Sequence, residues 1–436
     1  MIQALRHVLR TVRRYPTIGI SLLIILLLLG MSAHVVIRVP LSEAVTLWND
    51  SPPETWSDNP RLAQPAWTNR FRRVDLPETT VVSMEEAERI TESLSETMQR
   101  ETILLTFDYT YIPFPSEITL FYTMDYNEKV PLVTLTWIKP DGTEIPLHRA
   151  SAARHDSRFW ISQALSMGEA LAQDPQGEEA LQGQYAIRVE IVTFEPDLAP
   201  TEARLVVYGR VYGLAGTDDQ RRDLALALQW GTPVALVFGL LATLGSTLLG
   251  FTLAAVGAWL GGWVDGIVQR VTEVGMMIPF LPTIMMIAMY YSRNLWVLLG
   301  FVVLLNIFTA AVKSYRAMFL QVKNAPYIEA ARAYGAGNSR IIFRYMIPQI
   351  APVLLPQFIL AVPRFVYLEA SLGLLGIADP NLLTWGKVLS AGRDGLYAGH
   401  YYWVLEPACL LILTGIAFSL LGYALDRVFN PRLRDT

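Results

Sequence analysis

The chain has 436 residues, 52% of them hydrophobic and only 17% charged, with a mean hydropathy of +0.33. A soluble protein carries about 25% charged residues, so this composition argues against an ordinary soluble enzyme and points to a membrane protein. The net charge of −4 conceals an asymmetry: residues 41–215 hold 14 Lys+Arg against 27 Asp+Glu, a net of −13, and the remainder holds 21 against 12, a net of +9.

The first predicted element is an apolar run at 17–37, 21 residues without a charge, preceded by Arg6, Arg10, Arg13 and Arg14. At about 1.5 Å rise per residue such a run crosses the roughly 30 Å hydrocarbon core of a bilayer. A cleaved signal peptide with Ala33 near the cut is the alternative. The run exceeds the roughly 7–15 residues of a signal core, which favours a retained helix.

The acidic stretch begins with an irregular lead-in at 40–80, rich in proline and carrying Trp48, Trp56 and Trp67. Ser83 with Glu86 three residues on is a capping-box signature and predicts a helix to about Arg100. Strands are predicted at 103–112, 117–124 and 130–138, the last closed by the turn signal Pro140-Asp141-Gly142. Residues 184–194 alternate Tyr185, Ile187, Val189 and Ile191 with polar neighbours, the pattern of a half-buried strand. Its Gly183-x-Tyr185 entry is similar to the late strand of an immunoglobulin-like sandwich, where a tyrosine hydroxyl ties back to the backbone. A last strand is predicted at 204–212. The stretch therefore reads as a mostly β module, with a sandwich as its expected form. It has no cysteine and must rely on a core that about 175 residues can supply.

Five further charge-free runs follow, at 224–264, 274–292, 294–312, 345–363 and 407–425. With the first they make six spans. The segment 313–344 carries Lys313, Arg316, Lys323, Arg332, Arg340 and Arg344 against Glu329 alone. The positive-inside rule places it in the cytoplasm. Counting back puts the N-terminus on the same side, with Arg427, Arg432 and Arg434 of the C-terminal tail. Residues 41–215 then lie outside. The expected organisation is 1–40 as cytoplasmic N-terminus and first helix, 41–215 as an extracytoplasmic β-rich insertion, and 216–436 as a five-helix core.

Signatures of covalent chemistry are absent. No GxxxxGK[ST] occurs, so this chain cannot cradle ATP phosphates by a P-loop. Five histidines (His7, His34, His148, His155, His400) show no metal-ligand spacing, and His148 with His155 reads as a solvated surface pair rather than a metal site. The single cysteine, Cys409, excludes a disulfide framework and a Cys-based zinc site, and is expected to be a small apolar packer. Basic residues sit beside apolar runs rather than on one soluble face, which argues against nucleic-acid binding. No catalytic residue is assigned.

The segment Tyr327-Ile328-Glu329-Ala330-Ala331-Arg332-Ala333-Tyr334-Gly335-Ala336-Gly337 reads by itself as a short alanine-rich helix ended by a glycine. Its small residues would let another protein approach the backbone closely. Glu329 sits in the first turn, where the helix dipole favours a carboxylate.

Together with Ile347-Pro348, this segment resembles the EAA loop of permease subunits of binding-protein-dependent ABC importers. Three other stretches resemble the dipeptide, oligopeptide and nickel branch of that family. They are Gly216-Thr217-Asp218 with Arg222-Asp223 and Trp230-Gly231-Thr232; Gly261-Gly262-Trp263-Val264-Asp265 with Arg270 and Ile278-Pro279; and Glu369-Ala370-Ser371-Leu372 with Leu375-Gly376 and Thr384-Trp385-Gly386. The likeness covers residues 216–434. Arg221 stands where the family has glycine, Gly373 where a serine is common, and 377–383 lacks the usual proline-rich pattern. The insertion at 41–215 is far longer than the family's outer segment.

The resemblance implies a role for Glu329, Ala330, Ala331, Arg332 and Gly335 in coupling to the ATPase, within the loop 313–346. It also implies the partners: a second permease subunit, two cytoplasmic ATPases that bind ATP-Mg, an extracytoplasmic solute-binding protein, and the inner membrane of a bacterium. Peptides are the first expected substrate, with nickel complexes or other small solutes behind them. Arg364, roughly 24 Å along the fifth span, and Glu369 near its outer end are ionisable groups within the membrane. Arg364 either lines the passage and meets a substrate carboxylate, or snorkels or pairs with the second permease. About 140° of helix rotation separates the two, so they are poor partners for each other. Glu273, near the inner end of the third span, is expected to serve interhelical packing or topology.

Two other function classes compete. In a membrane-anchored binding or sensory protein one anchor helix would suffice. A secondary transporter would need acidic coupling residues in mid-span. For the insertion two roles are open: a docking platform for the binding protein, or a cap on the partner permease. Its −13 charge favours a basic partner surface, or serves solubility.

Overall fold

The computed structural model describes residues 16–49, 55–95, 98–124, 126, 128–151, 157–174, 176–195 and 202–429. His7, His155, Pro52, Pro53 and the arginines at 6, 10, 13, 14, 432 and 434 lie outside the described residues. The chain forms two compact units, one of Leu47–Ala225 with Ala398–Trp403, the other of the remaining helical segments. The first unit thus runs past residue 215, where the composition shift ends, and takes in the segment before the second apolar run.

In this first unit the strands pair antiparallel, and Gln64 and Val211 form an isolated parallel bridge. Strands β1 (Thr80–Val82), β9 (Glu202–Tyr208), β4 (Glu117–Thr123) and β7 (Ser157–Trp160) form one sheet in that spatial order. β2 (Glu88–Ser95), β3 (Met98–Tyr109), β8 (Gly183–Thr193), β5 (Leu132–Ile138) and β6 (Glu144–Ser151) form the other. Alternation sets which side chains are buried. Ile103, Leu105 and Phe107 of β3, Leu135 and Trp137 of β5, and Tyr185, Ile187 and Val189 of β8 join Ile118 and Leu120 of β4 and Leu205 and Val207 of β9 in one apolar cluster.

One end of that cluster is closed by the short helices α3 (Ile161–Ala164) and α4 (Met167–Leu171). A capping box of Ser166 and Glu169 starts α4, with Ser166 N donating to Glu169 Oε2 at 2.8 Å. Three core groups reach its carbonyls and those just beyond it. Trp137 Nε1 donates to Ala170 O at 2.8 Å, Lys139 Nζ to Ala172 O at 2.8 Å, and the Tyr185 hydroxyl lies 2.7 Å from both Leu171 O and Leu181 O. The tyrosine tie expected of the Gly-x-Tyr entry is therefore present, four residues upstream.

The helix expected from Ser83 to Arg100 is not formed. Ser83 caps nothing; Met84–Glu86 is a single 3₁₀ turn, followed by β2 and the start of β3. Ile90 and Leu94 have helical spacing, but β2 is an edge strand with every residue exposed, paired from Glu88↔Leu104 onward to the long strand β3. The free edge of β3 supplies backbone partners that a solvated helix of Thr and Ser residues could not match, and tertiary pairing overrides the local signal.

The second unit is helical. α1 (Pro16–Arg38), α5 (Leu224–Leu260), the helix through Asn338–Ile377 and α14 (Tyr402–Phe429) are each long and apolar enough to cross a membrane. Two bent pairs complete it: α6 (Gly262–Met277) with α7 (Phe280–Tyr290), turned by 79°, and α8 (Leu295–Ile307) with α9 (Ala310–Lys323), turned by 50°. Counting each pair as one span gives up to six. The runs expected at 274–292 and 294–312 thus each contain a bend. The first break falls at Ile278-Pro279, where proline disfavours a helical residue before it. α8 starts at Asn294, whose side chain accepts from the N–H groups of Trp296 and Val297.

Candidate functional site

α10 (Pro326–Ala333) carries the alanine-rich motif, with proline at its first turn. Its end is a Schellman arrangement: Gly335 N donates to Arg332 O, and Ala336 N reaches back to Ala331 O, both at 2.9 Å. Gly335 has φ +79°, the left-handed region that favours glycine.

The helix is two-faced. Ile328 is buried against α9 and the Ile341–Met346 stretch, and Ala331 is buried too, whereas Glu329, Ala330, Arg332, Ala333 and Gly335 are exposed, and Tyr334 is 93% exposed. Of the five residues singled out in the sequence, Ala331 is therefore the inward one, and its small side chain sets how closely the helix lies on its support.

That support runs to the end of α5. Lys323 Nζ donates to Ala258 O at 2.8 Å and Trp259 O at 2.9 Å, where the carbonyls at a helix C-terminus favour a cation. The Arg332 guanidinium lies 5.5 Å from the Trp259 ring centroid, and Trp259 Nε1 donates to Asn338 Oδ1 at 3.0 Å. One indole thus joins α5 to the C-terminal end of the exposed helix and to α11 (Asn338–Ile341). Sequence reasoning missed Trp259, Lys323 and Asn338, because their charges and polar atoms point at helix ends rather than at a motif. Nearby, Arg316 of α9 grips Asp265 of α6 with two bonds of 2.5 and 2.6 Å, and Lys313 of α9 lies 3.4 Å from Glu273 of α6. Glu273 also pairs with Arg270 of its own helix at 3.1 Å.

A second constellation gathers two of the three further stretches, those at 216–232 and 369–386. Trp385, fully buried at the start of α13 (Trp385–Tyr397), donates from Nε1 to Leu228 O at 2.9 Å. A side chain on Gly231 would strike its ring. One on Gly386 would come within 2.7 Å of Ala370 O and 2.9 Å of Gly373 Cα, so α12 (Ile347–Leu372) and α13 meet backbone to backbone. Glycine at 373 has its reason there. Glu369 lies beneath this contact, 2% exposed, with Thr384 as hydrogen-bond partner and no partner for Oε2 among the described residues. Its side chain is thus covered by this chain's own residues.

Arg364 is exposed, with Nη2 3.2 Å from Asn306 Oδ1. Both line a cavity of about 110 Å³ with Ser246, Thr247, Thr309 and Gln357. Arg364 and Glu369 are not paired. Cys409 is exposed on α14 rather than packed, since an apolar solvent leaves a small thiol free to face outward. Asp379 Oδ2 accepts from Leu295 N at 2.9 Å and helps to start α8, which gives the departure at 377–383 a structural use.

In the β-rich unit, the departure at Arg221 is also explained. Its φ is +66°, where glycine is favoured, yet its side chain donates to Asn59 O at 2.8 Å, pairs with Glu117 and covers the Tyr208 ring at 4.1 Å. Tyr208 OH in turn donates to Ser57 O at 2.5 Å, and burial pushes its phenol up to about 12. Next to it, Asp218 is fully buried and accepts from Arg222 Nε at 2.6 Å; burial raises its carboxyl against that pull. The family-like segment 216–223 and the insertion are one packed structure. Among the described residues no group of three or more His, Cys, Asp or Glu could hold a metal.

Comparison with known proteins adds the following. Residues 246–435 match the family described as binding-protein-dependent transport system inner membrane component. The chain is 28% identical over 220 residues to a dipeptide transport system permease protein of Bacillus subtilis, covering 50% of this chain and 68% of that one. It is 33% identical over 220 residues to a peptidoglycan transport system permease protein of Agrobacterium fabrum, covering 50% and 56%. An oligopeptide transport system permease protein of Bacillus subtilis is 29% identical over 222 residues, covering 50% and 72%.

Proposed function

We propose, from the match of residues 246–435 to the family of binding-protein-dependent transport system inner membrane components, that this chain is a member of that family and that the exposed face of α10 is where it takes up the work of an ATPase. The chain is a permease subunit of an ABC importer and a multi-pass membrane protein. Hydrolysis of ATP-Mg belongs to separate subunits. Its partners are two such ATPases on the side of 313–346, a second permease, and a solute-binding protein on the opposite side. All six apolar segments span, both termini share the side of α10, and residues 41–215 form an extracytoplasmic sandwich. Peptides are the substrate class, as the names of the relatives suggest for those proteins.

The observation that carries the coupling role is the indole of Trp259. Glu329, Ala330, Arg332 and Gly335 offer a docking face, Ala331 seats the helix, and Trp259 links its shift to α5. A short packed helix joined to long ones is a two-state lever. Arg364, beside Asn306 on its cavity, contacts the passing solute; Glu369 holds α12 against α13.

Purification of the tagged chain from its native membrane in mild detergent tests this. Walker-motif ATPases should accompany the native chain and be lost with Glu329→Lys and Gly335→Arg. Absence of any ATPase from the native preparation overturns the reading in favour of a membrane-anchored binding protein.

A further inference from the structure

The β-rich unit carries one surface unlike the rest of it. Trp67, Phe71, Val74 and Leu214 are 53%, 81%, 45% and 74% exposed. The rings of Trp67 and Phe71 meet edge to face with centroids 6.3 Å apart, and Trp67 Nε1 donates to Leu214 O at 3.0 Å. Water gains nothing from such a display; an interface with an apolar side does. Residues 70–75 are all exposed and hold Arg70, Arg72 and Arg73 against Asp75 alone, in a stretch whose overall charge is −13. Arg72 is engaged with Gln64, while Arg70 and Arg73 have no ion pair among the described residues.

The position of this surface in the chain is the second observation. The backbone at 64–66 runs beside 210–213, with Gln64 N donating to Arg210 O and Ala66 N to Gly213 O, both at 2.9 Å. Two residues past Leu214, Gly216 O accepts from the N–H of Leu224, the first residue of α5, from which the sequence holds no ionisable group until Asp265. Thr217 O accepts from the hydroxyl of Tyr402, the first residue of α14, at 2.8 Å. The exposed aromatic and basic cluster is thus tied, within this one unit, to the points where two long apolar helices begin. Trp, Phe and Leu beside Arg is the composition of a segment lying in the membrane interface, and a guanidinium matches a lipid phosphate in geometry and charge.

We propose that the face of Trp67, Phe71, Val74 and Leu214, with Arg70 and Arg73, rests on the bilayer surface and binds anionic phospholipid headgroups. The proposal rests on the multi-pass reading. Its consequence is that the insertion is held against the membrane on the side where substrate is delivered.

Because Cys409 is the one cysteine of the sequence, single-site labelling is direct. The full chain is placed in lipid discs of phosphatidylglycerol with phosphatidylethanolamine, or of phosphatidylcholine alone, and carries a fluorescent label at Cys409, at Val74→Cys, or at Ile90→Cys, the last two with Cys409→Ser. Lipids bearing a nitroxide near the headgroup and aqueous iodide serve as quenchers. The label at 74 should be quenched by the nitroxide lipid and shielded from iodide, more so with phosphatidylglycerol, and Arg70→Glu with Arg73→Glu should abolish that preference. The label at 90, on the exposed edge strand, should respond to iodide alone. Equal iodide quenching at 74 and 90 without lipid quenching overturns the proposal. So does shielding that appears only when a protein partner is added. A label at Cys409 that escapes quenching by lipid nitroxides placed deeper in the acyl chains sinks the multi-pass premise instead.

Discussion

In the β-rich unit Trp137, Tyr185 and Leu135 are fully buried, whereas in the first apolar helix Leu23, Leu26 and Leu27 are at least 60% exposed. The same residue types occupy opposite positions because their solvents differ. Water drives apolar side chains of the β-rich unit into one cluster. Lipid is as apolar as leucine, so helices associate through close contacts of small residues and through hydrogen bonds. Gly386 against Ala370 and Gly373, and Trp385 over Gly231, are such contacts. The difference teaches where each region is fragile: the β-rich unit at its largest side chains, the helical unit at its smallest.

Trp137→Ala should produce the largest effect, a loss of about 3–5 kcal/mol from cavity formation, with the Ala170 carbonyl left without its donor. Hydrogen exchange on the full chain should show it throughout β3, β5 and β8 and leave α5 and α14 unaffected. Spread of the loss into the helices would break the comparison. Gly386→Val should cost about 1–3 kcal/mol through overpacking. Leu26→Ala, although it removes three carbons, should stay within about 0.5 kcal/mol, as for a side chain that is 64% exposed. Denaturant titration in detergent ranks the two, and a reversed order would contradict the lipid-solvent argument.

Arg221 sharpens the comparison at the junction of family-like segment and insertion. Arg221→Gly relieves a left-handed backbone while losing the Glu117 and Tyr208 contacts; Arg221→Ala loses the contacts and keeps the strain. Alanine should therefore be less stable than glycine by about 1 kcal/mol, measured by exchange at 57–59 and 117.

The smallest effect is acidic. Hydrogen bonds from Thr143 hold Asp141 below its usual 3.8, the bond from Arg188 holds Glu144 below its usual 4.5, and those from Ser166 hold Glu169 below the same value. Carboxylates lowered on folding contribute stability above their ordinary pKa values that is lost as pH falls through the folded ones. Protection around 141–169, corrected for intrinsic exchange, should decline below about pH 4, less so in Glu169→Gln. A pH-independent profile would remove these bonds from the account.

Much of this was legible in the sequence, for unequal reasons. Strands β3, β4, β5, β8 and β9 announce themselves by alternation, and the turn at Pro140-Asp141-Gly142 forms where expected, with Gly142 at φ +83°. β1 and β7 are too short to carry a period, and β2 mimics a helix by the spacing of Ile90 and Leu94. In the apolar runs hydropathy marks length but not direction, so the 79° and 50° bends stayed hidden apart from Pro279. The alanine-rich helix could be located from its glycine and its acidic first turn. Which of its alanines faces inward could not, because Ala330 and Ala331 differ only in what lies beneath them. Trp259 gave no signal beyond its type; its role comes from Lys323, Arg332 and Asn338, 64 to 79 residues away.

The central claim, that the face of α10 meets the ATPase, is most directly tested by a photo-crosslinking amino acid at Tyr334 in the intact cell. The same probe at Tyr397 on α13, 86% exposed, is the comparison. The account predicts a covalent adduct between residue 334 and a Walker-motif ATPase and none from residue 397. An ATPase adduct at 397, or its absence at 334 while the complex is intact, would contradict it.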